Sequence, residues 1–340
     1  MKKIVAIFSL VLAFAFYGKA DALTLTPIRI EVSGNPGDVV ESEITLINDR
    51  DTQQTYYSSF SNFEAQGETG SPNFVDPKEG LGTWMTTDTE VILAPGTSKI
   101  IPVSISIPQN AEAGGYFAAV FFGTGNPNAE PGTIAIGAKT GVLVLLRVNG
   151  EVNEEGGILE FSTKDKDKFF TALPVSFYYR FQNSGGDRVK PEGNITIKHL
   201  FGFTRAVVPA NLVEGNVLPN QIRRFDAVWQ SKNGSSTEKG KMTFFGNVKN
   251  EWQNFAFGYY KANLSLTYGE NKQTTESHSG FWVFPWHLLL TLAVLIVLTR
   301  FVWRKLSRKH RETIMKEMRE EIIKEMEGGK SGDKNNHIQF

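Results

Sequence analysis

The sequence predicts a mostly β chain: two tandem β-sandwiches, then a single transmembrane helix and a short cytoplasmic helix. Short runs with apolar residues at every second position recur between Gly-, Pro- and Asn-bearing turns, the pattern of half-buried strands. The stretch Phe281–Lys305 is almost uniformly apolar from Phe284 to Trp303 and is followed at once by basic residues. The composition agrees, because 25 Phe, 32 Gly and 14 Pro suit turn-rich β structure.

The chain opens with Lys2 and Lys3, an apolar run from Ile4 to Tyr17, and the A-x-A-like text Ala20-Asp21-Ala22. Residues 1–22 are therefore read as a signal peptide cleaved before Leu23. The competing reading is an uncleaved signal anchor, for which the apolar core is short. Lys plus Arg and Asp plus Glu stand at 36 each, so no global field recruits nucleic acid. The chain has no cysteine, which excludes disulfides, zinc fingers and thiol nucleophiles and leaves stability to packing.

Residues 23–150 form the first expected sandwich. Ile28, Ile30 and Val32 alternate with Arg29 and Glu31; Gly34-Asn35-Pro36-Gly37 turns the chain; Val40, Ser42, Ile44 and Leu46 share the next strand's face. Tyr56–Phe63 is an aromatic strand and 66–82 a loop. Ile101, Val103, Ile105 and Ile107 alternate with Pro102, Ser104 and Ser106 after the Pro95-Gly96 turn. Tyr116–Phe122 and Val142–Val148 are apolar on both faces and read as central strands covered on both sides.

The text LTPIRIEVSGNPGDVVESEITLIND, with LAPGTSKIIPVSISIPQNAEAGGYFAAVFF, resembles the immunoglobulin-like first domain of WxL-interacting (DUF916-type) bacterial surface proteins. It is also similar, more loosely, to the N-terminal domain of pilus-type periplasmic chaperones. The resemblance covers residues 24–148 and rests on pattern, with no motif residue to carry over. It implies an immunoglobulin-like fold, peptidoglycan contact by the first domain and a protein partner for the second.

Residues 151–168, EVNEEGGILEFSTKDKDK, read as a charged linker, with a hairpin through Ile158, Glu160 and Phe161 as the alternative. Asp165 and Asp167 have the spacing of calcium ligands, but alternating lysines argue against a cation site. The second sandwich spans residues 169–280. Val175, Phe177, Tyr179 and Phe181 alternate with polar residues; Asn183-Ser184-Gly185-Gly186 is a turn; Ile195 and Ile197, then Ile222–Trp229, are strands. Tyr260, Ala262, Leu264, Leu266 and Tyr268 give the cleanest alternation and are taken as the last strand. The text PVSFYYRFQNSGGDRVKPEGNITIKHLFG resembles the second domain of the same surface proteins, with Gly193 after Pro191 consistent with a turn because glycine tolerates positive φ.

The span is placed at Phe281–Trp303, long enough to cross the ~30 Å hydrocarbon core as a helix. Trp282, Trp286 and Trp303 flank it as interfacial aromatics. Arg304, Lys305, Arg308, Lys309 and Arg311 follow it, against Lys261 and Lys272 before it, which puts the C-terminus in the cytoplasm. In the tail, residues 304–340, Met315, Met318, Ile322 and Met326 make an apolar stripe. It reads as a weak self-association seam or a stretch lying on the membrane surface or, equally, as a solvated extension of the span.

No catalytic, cofactor-binding or metal-ligating residue is assigned. His199, His278, His287, His310 and His337 are scattered, and neither H-E-x-x-H, G-x-S-x-G nor a phosphate-cradling Gly loop occurs. Gly114-Gly115 and Gly156-Gly157 read as turns. Trp84, Trp252 and Phe255 form a binding patch or plug the ends of the sandwiches. The expectation is a non-enzymatic cell-membrane protein, sandwiches outside, that binds cell-wall material or another envelope protein. The alternatives are a chaperone-like assembly factor that adds a partner's β-strand, and a hydrolase with an unrecognised site.

Overall fold

A computed structural model describes residues 23–125, 138–230 and 243–332. The segment read as a signal peptide lies outside the described residues. The first sandwich contains β1 (Leu23–Thr26), β2 (Arg29–Gly34), β3 (Val39–Asn48), β4 (Gln54–Gln66), β5 (Ser71–Val75), the single helical turn α1 (Leu81–Trp84), β6 (Met85–Thr87), β7 (Glu90–Leu93), β8 (Ser98–Ser106), β9 (Gly114–Gly123) and β10 (Lys139–Val148). One sheet runs β1-β3-β8-β6 and the other β2-β10-β9-β4-β5, with β7 on the far half of β4. The chain changes sheet between β1 and β2 at Pro27, which has no N–H to give to a ladder. β1 pairs antiparallel with β3, and β2 parallel with β10.

The inner faces follow the period-two pattern. Ile44, Leu46, Ile101, Val103, Ile105, Val120, Phe122, Val142, Val144 and Leu146 are all fully buried between the sheets. Burying each of the larger side chains contributes about 2 kcal/mol of hydrophobic stabilisation before conformational entropy is charged against it. β9 and β10 are covered on their outer side as well, as their apolar text predicts. There the β4–β5 hairpin folds over the sheet, setting Phe74 4.9 Å from Phe121, ring centre to ring centre, and Phe63 5.9 Å from Phe117. Residues 66–82, expected as loop, thus contain β5 and the start of α1. A five-residue strand with Pro72 in it is too short to show a period in sequence.

The second sandwich contains β11 (Gly156–Thr163), β12 (Phe169–Phe170), β13 (Val175–Asn183), β14 (Glu192–His199), β15 (Thr204–Pro209), β16 (Gln221–Trp229), the helix α2 (Phe244–Gln253), β17 (Gly258–Tyr268) and β18 (Gln273–Val283). Its sheets run β11-β13-β16 and β12-β18-β17-β14-β15. A separate aromatic-rich core holds them together, with Phe177, Tyr179, Phe181, Tyr260 and Phe281 fully buried. Each unit is a pair of packed, mainly antiparallel sheets, the immunoglobulin-like sandwich.

Several expectations are corrected. The stretch 151–168 is not all connector: β11 lies within it and pairs with β13 as an edge of the second sandwich. Gly156 and Gly157 begin that strand instead of making a turn, and a Cβ on Gly156 would stand 2.6 Å from the Gln182 carbonyl oxygen. β17 is not the last strand. β18 pairs with it along its whole length, and its polar first half, with Ser, Thr, His and Gly, hides the alternation. The apolar helix does not start at Phe281: Phe281 and Val283 are fully buried strand residues of the second core. The helix α3 (Trp286–Gly332) begins only after Pro285, and its apolar portion is long enough to cross a membrane, by length and composition.

Candidate functional site: an open strand edge and the junction behind it

β10 has two different neighbours along its length. β9 pairs with all of it, from Lys139 to Val148, but β2 begins its parallel pairing only at Leu143. Among the described residues no strand pairs with Lys139–Val142 on the side away from β9. The direction of the open hydrogen-bonding groups follows from register. The Leu143 N–H donates to the Ile28 carbonyl at 3.2 Å, so it points away from β9. In a strand with an antiparallel neighbour, alternate residues direct both N–H and C=O to the same side. Gly141 and Lys139 therefore present theirs outward, whereas Val142 and Thr140 are bonded into β9.

The side chains around this edge suit an apolar visitor. Ile28, immediately before β2, is 82% exposed. On the outer face of the sheet the Lys139 ammonium sits 4.4 Å from the centre of the Phe121 ring, a cation–π contact. Gly141 leaves the room that Phe121 occupies, since a Cβ there would lie 2.6 Å from its ring. Exposed strand edges are usually blunted by charge, proline or bulges. β16 shows this, carrying Arg223, Arg224 and Asp226 along its length. The Lys139–Val142 edge has a single charge, and that charge is drawn onto an aromatic ring.

The far end of β10 fastens the two sandwiches together. Arg147, 17% exposed, meets Asp187 at 2.8 Å, Glu270 at 3.1 Å and Glu154 at 3.8 Å. Asp187, only 4% exposed, belongs to the second sandwich, as does Glu270 in the β17–β18 turn. Glu154 accepts from the Glu270 and Asn271 N–H groups, stitching the connector to that same turn. On the other side of the junction Arg180 donates two hydrogen bonds to Glu68, at 2.8 and 2.5 Å. That fork holds the Glu68 carboxyl below its ordinary pKa, the Arg180 hydrogen bond being the larger cause. Arg188 and Asn216 both reach Glu31, at 3.4 and 3.3 Å.

Gly114 and Gly115, expected as a turn, are the first residues of β9 and part of this junction. The Gly115 N–H donates to the Gly186 carbonyl at 3.1 Å, and a Cβ on Gly114 would stand 2.8 Å from that oxygen. Glycine is needed there because two backbones touch.

The remaining groups singled out in sequence are not brought together. Trp84 packs beside the first core, its ring 4.6 Å from that of Tyr116. Trp252 and Phe255 are exposed at the opposite end of the protein, near α3. His199 stacks on Phe203 and His287 on Trp286. The 3-10 turn Lys164–Lys166 holds Asp165, and Lys166 is engaged with Glu160 at 2.8 Å. Among the described residues no group of three or more His, Asp or Glu side chains is placed to hold a metal ion. Burial raises the pKa of the Tyr179 hydroxyl, which stays protonated and packs flat on Phe225. The open edge was invisible in sequence because it depends on where β2 begins.

No known protein family's sequence profile matches the chain, and no curated protein matches it in sequence. Among solved structures it is similar to the class 5 fimbriae chaperone CfaA, with 14% identity and a TM-score of 0.38 over 76% of this chain and 99% of that one. It is similar to the E. coli chaperone DraB, with 10% identity and a TM-score of 0.33 over 77% and 97%. A structure of the Salmonella enterica SafA pilin in complex with the SafB chaperone gives 10% identity and a TM-score of 0.32 over 78% and 98%. Of the two resemblances noted in sequence, the one to pilus-type chaperones has counterparts among these structures, and the one to WxL-interacting proteins has none among them.

Proposed function

We propose that the chain is a membrane-anchored, non-enzymatic envelope protein that binds a second envelope protein by taking up one of its β-strands, a chaperone-like role in assembly. The observation that carries this is the open edge at Lys139–Val142. Two residues there direct N–H and C=O outward beside an exposed isoleucine. A partner strand laid along this edge would continue the line of β2 and bond to Lys139 and Gly141. In this reading α3 is the tether, and the basic residues after it support an outer-face position for both sandwiches. Among the described residues the cell-wall reading has no surface of comparable definition behind it.

The reading is tested by photo-cross-linking in cells. A photoreactive residue at Lys139, and another at Ile28, is expected to capture one discrete envelope protein. The same group at Val39, exposed on the opposite sheet, is expected to capture none. Adding Lys139→Pro to the Ile28 probe removes an outward donor without touching the β9–β10 ladder and is expected to abolish most of the adduct. Equal capture from Val39, or full retention with Lys139→Pro, would contradict strand addition at this edge.

A further inference from the structure

The end of the second sandwich nearest α3 presents aromatic side chains outward. Phe201 in the β14–β15 turn is 80% exposed, and Phe245 and Trp252 on α2 are 77% and 73% exposed. On a face turned to water, a cluster of this kind is unusual. The two α2 residues, with half-buried Val248 between them, fall at spacings of three and four and so share one side of the helix. An adjoining side of α2 does different work. Glu251, 1% exposed, lies with Oε1 2.6 Å from His287 Nδ1, and its Oε2 accepts from the Leu288 N–H at 2.7 Å. Asn247 reaches the other His287 ring nitrogen at 3.3 Å. A carboxylate here caps free donors in the first turn of α3. α2 is thus fixed at the mouth of the span with its aromatic side facing out.

No linker separates sandwich from span. Only Phe284 and Pro285 lie between the last residue of β18 and the first of α3, a reach of at most about 10 Å. The Phe284 N–H is itself bonded to the Phe170 carbonyl at 2.7 Å. The polar layer of a bilayer is only about 5–7 Å deep on each side of the hydrocarbon. If α3 crosses the membrane, the aromatic end of the sandwich has to lie in that layer.

We propose that this end is a lipid-contacting surface, seated among the headgroups of the bilayer with Phe201, Phe245 and Trp252 at the acyl boundary. The inference rests on the reading of α3 as a membrane span. It makes the membrane a second support for the ectodomain, so that the first sandwich and its open edge are held at a fixed tilt and height.

The chain has no cysteine, so each cysteine introduced is the only labelling site. The full chain would be placed in phosphatidylcholine vesicles with a nitroxide on single variants Phe201→Cys, Phe245→Cys and Trp252→Cys. Val39→Cys gives the aqueous reference and Leu295→Cys the bilayer reference. All three test side chains are exposed, so labels there displace no core contact. Collision with oxygen relative to a water-soluble nickel chelate is expected to shift from the Val39 value toward the Leu295 value at all three sites. Three labels that match Val39 while Leu295 reports bilayer would overturn the lipid contact alone. An aqueous Leu295 label would overturn the membrane span as well. Labels shielded from both reagents would overturn the proposal in favour of a protein partner on this surface.

Discussion

Replacing Arg147 by alanine is expected to lower the stability of the folded chain by about 3–5 kcal/mol, the loss typical when one partner of a buried ion pair is removed. The size follows from what is left behind. Asp187 is 4% exposed and loses its shortest guanidinium contact, while Glu154, 7% exposed on its side chain, loses a nearby positive charge. Arg147→Lys keeps the charge but cannot fork between Asp187 and Glu270, so it is expected to recover only part of the loss. Urea unfolding of the full chain in detergent measures both. A change below about 1 kcal/mol for Arg147→Ala would put this cluster with ordinary exposed ion pairs and remove it as the fastener between the sandwiches. Because Arg147 is on the same strand as the open edge, the variant also tests whether that edge needs the second sandwich to hold it.

Gly193→Val is expected to cost about 4 kcal/mol or more, in the range reserved for steric conflict within a packed core. Gly193 pairs with Leu266 in the larger sheet of the second sandwich. A Cβ at this position would stand 2.0 Å from the Ser265 carbonyl oxygen and 3.0 Å from the Leu266 Cα. Both obstacles are backbone, so no side chain can swing aside, and the backbone φ of +156° disfavours a branched residue as well. The thermal midpoint of the variant, against Gly202→Ala as a control in an open turn, gives the comparison. The Cβ that the control introduces would have nothing within 4 Å of it. Equal midpoints for the two variants would mean that β14 and β17 are not held as closely as their register requires.

Much of this architecture was legible in the residues. Strands with a wet face and a dry face, such as β3, β8, β13 and β17, announce themselves because side chains alternate between water and core. Gly193 was legible only in its positive φ: it reads as a turn residue and lies instead within β14, paired with Leu266. The elements that escaped are those whose partners are set by tertiary contact. β18 alternates Thr, Glu, His and Ser before its apolar end, because only its last residues reach the deep core. That same end, Phe281 and Val283, was merged with the span, since a buried strand and a membrane helix are equally apolar. Gly114, Gly115 and Gly156 looked like turns because close backbone approach and positive φ call for the same residue. α2 has Phe245 and Trp252 on one side and Glu251 on an adjoining one, and neither side reads as a core face. The candidate site was the least legible feature of all. Apolar text at Val142–Val148 tells of a central strand, but only the register of β2 shows that the strand is central for part of its length.

The central claim, that the Lys139–Val142 edge receives a partner strand, is most directly tested by residue-resolved hydrogen exchange on the full chain, alone and with the protein captured by the Ile28 probe. Strand addition predicts that the Lys139 and Gly141 amides exchange quickly in the free chain and slow markedly in the complex. Val142, already bonded to β9, is predicted to change little. Slow exchange at Lys139 and Gly141 in the free chain, or no slowing in the complex, would contradict the claim.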